Sequence, residues 1–126
     1  MGCDIYVRVE ISPENLFAAL SNRTRLRCLM LLMHHDELCV CELTHAVNMA
    51  QPHISRHLAQ LRDLELVTDR RDGLWIYYKI SPSIQSWIKA VLQATAKGIE
   101  HQPQFESDLA ALAQMPNRPG LQRCAN

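Results

Sequence analysis

Two short apolar helical patterns, joined by a tight connection, limit the possible folds more than any other part of the sequence. The first pattern covers residues 38–47, and Asn48 ends it. The second begins at Gln51, where a proline follows at once, and carries apolar residues at helical spacing through Leu61. Two helices with so short a connection form a helix-turn-helix.

Two further helices are predicted before this pair. Ser12 is a favourable helix cap, and Pro13 suits the first helical position because an amide hydrogen would have no partner there. A second helix is predicted from Thr24 to about Met33, where apolar residues dominate. A helix as apolar as this one should lie in the core.

A β-hairpin and a long helix are predicted after the pair. Residues 67–69 and 74–79 are rich in β-branched and aromatic side chains, and they flank a turn that contains Gly73. Ser81 and the proline after it begin a long helix with a wide apolar stripe. The stripe consists of Ile84, Trp87, Ile88, Val91 and Leu92. The predicted fold is mainly α with a small β-hairpin, a winged helix-turn-helix, and the stripe predicts a dimer.

The charge balance excludes a strongly basic or acidic protein. Lys and Arg number 13, as do Asp and Glu, so any binding to nucleic acid must come from a local patch. No apolar run is long enough to span a membrane, and the first residues lack the basic start and apolar core of a signal peptide. We therefore expect a cytoplasmic protein that binds no membrane and keeps its cysteines reduced.

A candidate DNA-binding patch lies on the second helix of the pair. If its apolar residues face the core, its polar residues project outward, because a helix advances about 100° per residue. Such helices read base edges in the major groove, and arginines at the predicted hairpin tip would contact the DNA backbone. The candidate DNA-binding residues are Gln51, His53, Ser55, Arg56, Gln60, Arg70 and Arg71. The alternative is an ordinary solvated helix face, and His57 is expected to be half-buried.

The segment Cys39-Val40-Cys41 carries the most informative chemistry. Thiolates are soft ligands that select ions such as As(III), Cd(II) and Pb(II). Two alternatives remain, because a cysteine pair can also be a redox switch or simply pack in a core. On a regular helix the two side chains point about 200° apart. We therefore expect that binding of one ion distorts the helix and weakens DNA binding.

Three runs of sequence resemble the ArsR/SmtB family of metalloregulatory repressors. They are Ala19–Arg27 (ALSNRTRLR), Glu37–Leu43 (ELCVCEL) and Gln51–Leu58 (QPHISRHL), and the resemblance extends over about residues 14–98. It implies a homodimer that represses transcription on double-stranded operator DNA and dissociates when a thiophilic ion binds the cysteine pair. The implied inducer is As(III), with Sb(III), Cd(II) and Pb(II) as alternatives and no organic cofactor.

The resemblance leaves the third ligand open. Arsenic sensors of the family have a third cysteine three residues after the second, a position that Thr44 occupies here. The candidates are Cys3, Cys28, Cys124 or no third thiol. An enzyme is not expected, although dithiol exchange at the pair is an alternative, as is a thiol-based redox-sensing regulator.

The length of 126 residues suits a single domain of this kind. We expect an N-terminal segment at 1–11, a winged helix-turn-helix domain for DNA binding and dimerisation at 12–99, and a C-terminal tail at 100–126. Three prolines interrupt the tail. We therefore expect it to pack loosely, with one short helix between about 105 and 115.

Overall fold

The computed structural model describes residues 10–119, which form six helices and three strands. The helices are α1 (Pro13–Leu20), α2 (Arg23–His34), α3 (Val40–Val47), α4 (Gln51–Asp63), α5 (Ser86–Ile99) and α6 (Pro103–Ala113). The strands are β1 (Leu38–Cys39), β2 (Val67–Asp72) and β3 (Trp75–Ile80). Across this described range, no helix combines the length and the apolar character needed to cross a bilayer.

The strands form one antiparallel sheet in the order β1-β3-β2. β2 and β3 make the predicted hairpin, which we call the wing, and Asp72 pairs with Trp75 across its two-residue turn. Gly73 occupies that turn with a φ of +63°, a left-handed conformation that glycine adopts without steric cost. β1 adds a strand that the sequence did not predict, since Leu38 pairs with Tyr78. The winged helix-turn-helix is otherwise confirmed.

The apolar faces of α2, α3, α4 and α5 meet in one core. Leu29, Leu43, Leu58 and Leu92, one from each helix, are fully buried there. Burial of each such side chain contributes on the order of 1.5–3 kcal/mol. Asn48 ends α3 in a left-handed conformation with a φ of 60° and turns the chain towards α4. The two helices of the predicted helix-turn-helix are therefore α3 and α4, and they pack on each other.

α3 begins two residues later than predicted, because Leu38 and Cys39 pair with β3 instead. Cys39 is the N-cap of α3 and has an extended backbone. Its backbone N–H donates to Glu42 Oε1 at 2.8 Å. A glutamate at this position satisfies an amide that the helix itself leaves without a partner. The prediction that both cysteines lie on a regular helix is therefore wrong.

α5 also begins later than predicted, at Ser86 rather than at Ser81. The Ser81 backbone N–H donates to the Leu66 carbonyl oxygen at 3.0 Å, which ties this serine to the base of the wing. The Ser81 side chain accepts from the Ser83 N–H at 3.2 Å. The cap-like residues at 81–82 therefore belong to a turn between the sheet and α5.

α6 contradicts the prediction of a loosely packed tail. It lies against α2 and α3, where Phe105 and Leu112 are buried. Arg27 on α2 donates two hydrogen bonds to the buried carboxylate of Asp108, at 2.9 and 2.7 Å. This bidentate ion pair fixes the position of α6 on α2.

Candidate functional site

α4 presents a polar face, as the sequence predicted. Its apolar residues Ile54, Leu58 and Leu61 are fully buried. On the other side, Gln51, His53, Arg56 and Gln60 are exposed and Ser55 is half-buried. These side chains supply the hydrogen-bond donors and acceptors that can pair with base edges in the major groove.

Hydrogen bonds organise this face within the protein. Gln51 Nε2 donates to Ser55 Oγ at 3.0 Å, and Arg56 Nη2 lies 3.3 Å from His53 Nδ1. Gln60 Oε1 accepts from an arginine of α2 at 3.0 Å. Side chains that are already held lose less conformational entropy when they bind a partner.

His57 lies half-buried beside this face, as predicted. Its Nδ1 is 3.5 Å from Arg25 Nη1. Burial lowers the pKa of His57 below its ordinary value, and the positive charge of Arg25 adds to the shift. The lowered pKa favours the neutral ring, which suits its packing role.

The two wing arginines differ in what they contact. Arg70 donates to both carboxylate oxygens of Glu37, at 2.8 and 2.7 Å, and lies 4.7 Å above the centre of the Tyr77 ring. The hydrogen bond to Glu37 raises the pKa of Arg70. Arg71 is exposed on the same strand, while Leu74, which is 94% exposed, occupies the tip. Both arginines thus lie before the tip and not at it, and Arg70 is engaged within the protein.

The sulfurs of Cys39 and Cys41 meet at the start of α3. Cys39 precedes the helix and is buried, while Cys41 lies in the first turn and is half-buried. Their Cα atoms are 5.4 Å apart, and the sulfurs are joined as a disulfide. The pair is therefore close enough to be linked, either by a disulfide or by one shared ion. It must be reduced before it binds an ion, because the thiolate is the ligand, but a regular helix need not be distorted.

Glu42 and Arg118 support the start of α3, and neither was predicted from the sequence. Glu42 is 1% exposed, and its Oε2 accepts a hydrogen bond from Arg118 Nε. The spacing of Cys39 and Glu42 is that of a capping box, which was a usable local signal. Arg118 is 76 residues from its partner and gives no such signal.

One groove connects the sulfur pair with the polar face of α4. It has a volume of about 710 Å³ and lies between α3, α4 and the wing. Its lining includes Cys39, Cys41, Thr44, Gln51, Ser55, Trp75 and Tyr78. We call it the thiol groove. A ligand held by the sulfurs therefore lies close to two of the predicted DNA contacts.

The remaining cysteines do not complete a thiol site in the described residues. Cys28 is buried in the core, and burial raises its pKa to about 12. So high a pKa keeps the thiol protonated, which makes it a poor ligand. Cys3 and Cys124 lie outside the described residues. Between residues 10 and 119, no group of three or more His, Cys, Asp or Glu is placed to hold a metal ion.

Comparison with known sequences relates this architecture to bacterial regulators. The family described as "Bacterial regulatory protein, arsR family" matches residues 22–69. The arsenic resistance transcriptional regulator ArsR1 of Pseudomonas putida is 41% identical over 114 residues. The match covers 90% of this chain and 88% of that protein.

Solved structures give the same relation. HlyU from Vibrio cholerae N16961 superposes with a TM-score of 0.60 at 31% identity, over 67% of this chain and 87% of that chain. The AntR antimony-specific transcriptional repressor superposes with a TM-score of 0.58 at 34% identity, over 71% of this chain and 78% of that chain. ArsR1 and AntR are regulators by name and not enzymes.

Proposed function

This chain belongs to the ArsR family of bacterial regulatory proteins, and from that premise we propose that it is a homodimeric repressor that trivalent arsenic releases from operator DNA. The inducer binds the thiolates of Cys39 and Cys41, with Sb(III), Cd(II) and Pb(II) as alternative ions. The protein acts in the cytoplasm, where thiols are kept reduced. The main support is that both sulfurs share one groove with two residues of the DNA-facing helix.

DNA binding in this proposal depends on α4 and the wing. The exposed guanidinium of Arg56 suits a guanine edge, and the Gln51 amide suits adenine. Arg71 is exposed on the wing and adds a contact to the DNA backbone. The net charge of the chain is zero, so non-specific affinity is modest and release requires little additional free energy.

The inducer step depends on the distance between the cysteines. Their Cα atoms are 5.4 Å apart, so both reduced sulfurs can reach one ion at a metal–sulfur distance of roughly 2.3 Å. Soft thiolates prefer soft ions. ArsR1 is named for arsenic resistance and AntR for antimony, which supports a trivalent ion of these elements over Cd(II) or Pb(II).

The position of the pair suggests how binding reaches the DNA surface. Cys39 pairs with Tyr77 of the wing, whereas Cys41 lies on α3, which packs against α4. An ion held by both sulfurs therefore connects the wing to the helix that supports α4. An ion that prefers an arrangement unsuited to DNA shifts the population away from the bound form by its differential affinity.

The proposed dimer uses α1 and α5. Phe17 on α1 is 53% exposed, and Trp87 on α5 is 38% exposed. Ile88 and Leu92 of the predicted stripe are fully buried within the protomer. Trp87 and the half-buried Ile84 and Val91 are therefore the part of the stripe that a second copy would cover.

The test of the proposed function is release from labelled promoter DNA, followed by fluorescence anisotropy. The reduced protein is titrated with arsenite, methylarsenite, antimonite, cadmium, lead and zinc. Cys39→Ser and Cys41→Ser should keep the DNA affinity of the wild type and lose arsenic-driven release. Cys28→Ala is the matched control and should respond like the wild type, because Cys28 is enclosed in the core. Normal release of either pair variant by arsenite would contradict the proposal.

A redox-sensing regulator is the second candidate, and the disulfide between Cys39 and Cys41 favours it. In this case, oxidation joins the two sulfurs in a disulfide. The disulfide then connects the wing to α3, as a bound ion does in the first proposal. Peroxide without metal should then release the wild type from DNA, and a reductant should restore binding. A protein that responds to arsenite and ignores peroxide is the arsenic sensor.

A further inference from the structure

Thr44 has an unusual hydroxyl group. Its Oγ1 is buried and has no hydrogen-bond partner among the described residues. Buried polar groups in folded proteins nearly always have a partner, because leaving one without a hydrogen bond costs free energy. A valine would fill almost the same volume without this cost. The unpartnered hydroxyl therefore indicates a binding partner that these residues do not supply.

Thr44 lies next to the proposed ion-binding site of the cysteine pair. Thr44 follows Cys41 by three residues on α3, and residues at this spacing are neighbours on one helix face, with Cβ atoms roughly 5–6 Å apart. Thr44 also lines the thiol groove together with both cysteines. Thr44 therefore lies beside the place where an ion held by the two sulfurs would be.

Trivalent arsenic has three ligands, so arsenic bound by two thiols keeps one group that the protein has not replaced. Arsenite, As(OH)₃, condenses with the two cysteine thiols: two As–S bonds form, two As–O bonds break, and two water molecules leave. Arsenic stays trivalent, and one hydroxyl group remains on it. No third thiolate replaces that hydroxyl in the described part of the chain, because Cys28 is buried and protonated.

We propose that Thr44 Oγ1 forms a hydrogen bond with the oxygen that remains on arsenic bound by Cys39 and Cys41. Thr44 is then a specificity-determining residue, since methylarsenite carries a methyl group at that position and offers no acceptor. The hydrogen bond therefore adds affinity for arsenic that keeps a hydroxyl group and adds none for arsenic that carries a carbon group. This inference depends on the proposed function.

The experiment compares Thr44→Val with the wild type in arsenite- and methylarsenite-driven release from promoter DNA. Thr44→Val should require about fivefold more arsenite, the effect of one neutral hydrogen bond. Its methylarsenite response should match that of the wild type. Thr44→Ser keeps the hydroxyl and is the matched control, so it should retain most of the arsenite response.

Two further readouts separate ligand binding from a structural role. DNA affinity without inducer should be unchanged in Thr44→Val, and its unfolding midpoint in urea should be equal or higher, since an unpartnered hydroxyl is removed. An equal shift for both arsenicals, or no shift for arsenite, would overturn the assignment of Thr44 alone. A wild type that neither arsenical releases would overturn the proposed function, and this inference with it.

Discussion

Cys39 belongs to two elements at once. It pairs with Tyr77 in the sheet, and its backbone N–H donates to the buried Glu42 on α3. Cys41 is part of α3 only. A ligand that moves the Cys39 sulfur relative to Cys41 therefore acts at the joint between the wing and α3. At the scale of single residues, this joint is the place where the proposed inducer acts on the proposed DNA-binding elements.

Two histidines predict how stability depends on pH. Burial lowers the pKa of His57 and of His35, so the folded protein binds fewer protons than the unfolded chain below about pH 6.5. Stability should be full above this pH and fall as the pH drops towards the lowered pKa values. His57→Gln should flatten the fall of the urea midpoint between pH 7 and 5 relative to the wild type. Equal slopes in the two proteins would refute this.

At the scale of elements, α6 is predicted to stabilise the helix-turn-helix from behind. Leu112 is fully buried, so Leu112→Ala should lower the free energy of unfolding by about 2–5 kcal/mol. Leu74→Ala makes the same change at a side chain that is 94% exposed, and it should stay within about 0.5 kcal/mol of the wild type. Urea denaturation measures both variants. Similar midpoints would mean that α6 does not pack in solution as described.

The wing should contribute to DNA binding through Arg71 more than through Arg70. Arg70 is already paired with Glu37, so Arg70→Ala should change the salt dependence of binding little. Arg71→Ala should lower the salt slope by about one phosphate contact.

On α4, Arg56→Ala should cost about 1–3 kcal/mol of specific affinity. Operator titrations at several salt concentrations measure the affinity and the salt slope of each variant. If all three variants bind like the wild type, the DNA-binding surface is not the one proposed.

The elements differ in how far the sequence predicts them. α4 and its outward residues follow from local periodicity, which needs no distant partner. The start of α3 does not, because β1 forms only by pairing with β3. The helix α6 was predicted from the sequence, but its packing was not, because the ion pair that holds it joins Arg27 and Asp108, which are 81 residues apart. The cysteine pair was visible in the sequence, but the unpartnered hydroxyl of Thr44 depends on the packing around it.

At the scale of the whole molecule, the described residues form a layered support for one exposed helix. α6 packs on α2 and α3, and α3 packs on α4. The thiol groove opens between α3, α4 and the wing, so the proposed ligand site lies on the same side of this stack as the proposed DNA contacts. In the proposed dimer, α1 and α5 set the spacing of the two copies of α4.

A dimer is predicted from the symmetry of operator recognition. Two copies of α4 must be held one DNA turn apart, roughly 34 Å, or a multiple of it, to read two half-sites together. Trp87→Glu places a charge at the proposed interface and should give a monomer with weak operator binding. Leu74→Glu introduces the same charge at the exposed wing tip and should remain a dimer. Sedimentation at micromolar protein concentration measures the oligomeric state of each protein, and a monomeric wild type would refute the prediction.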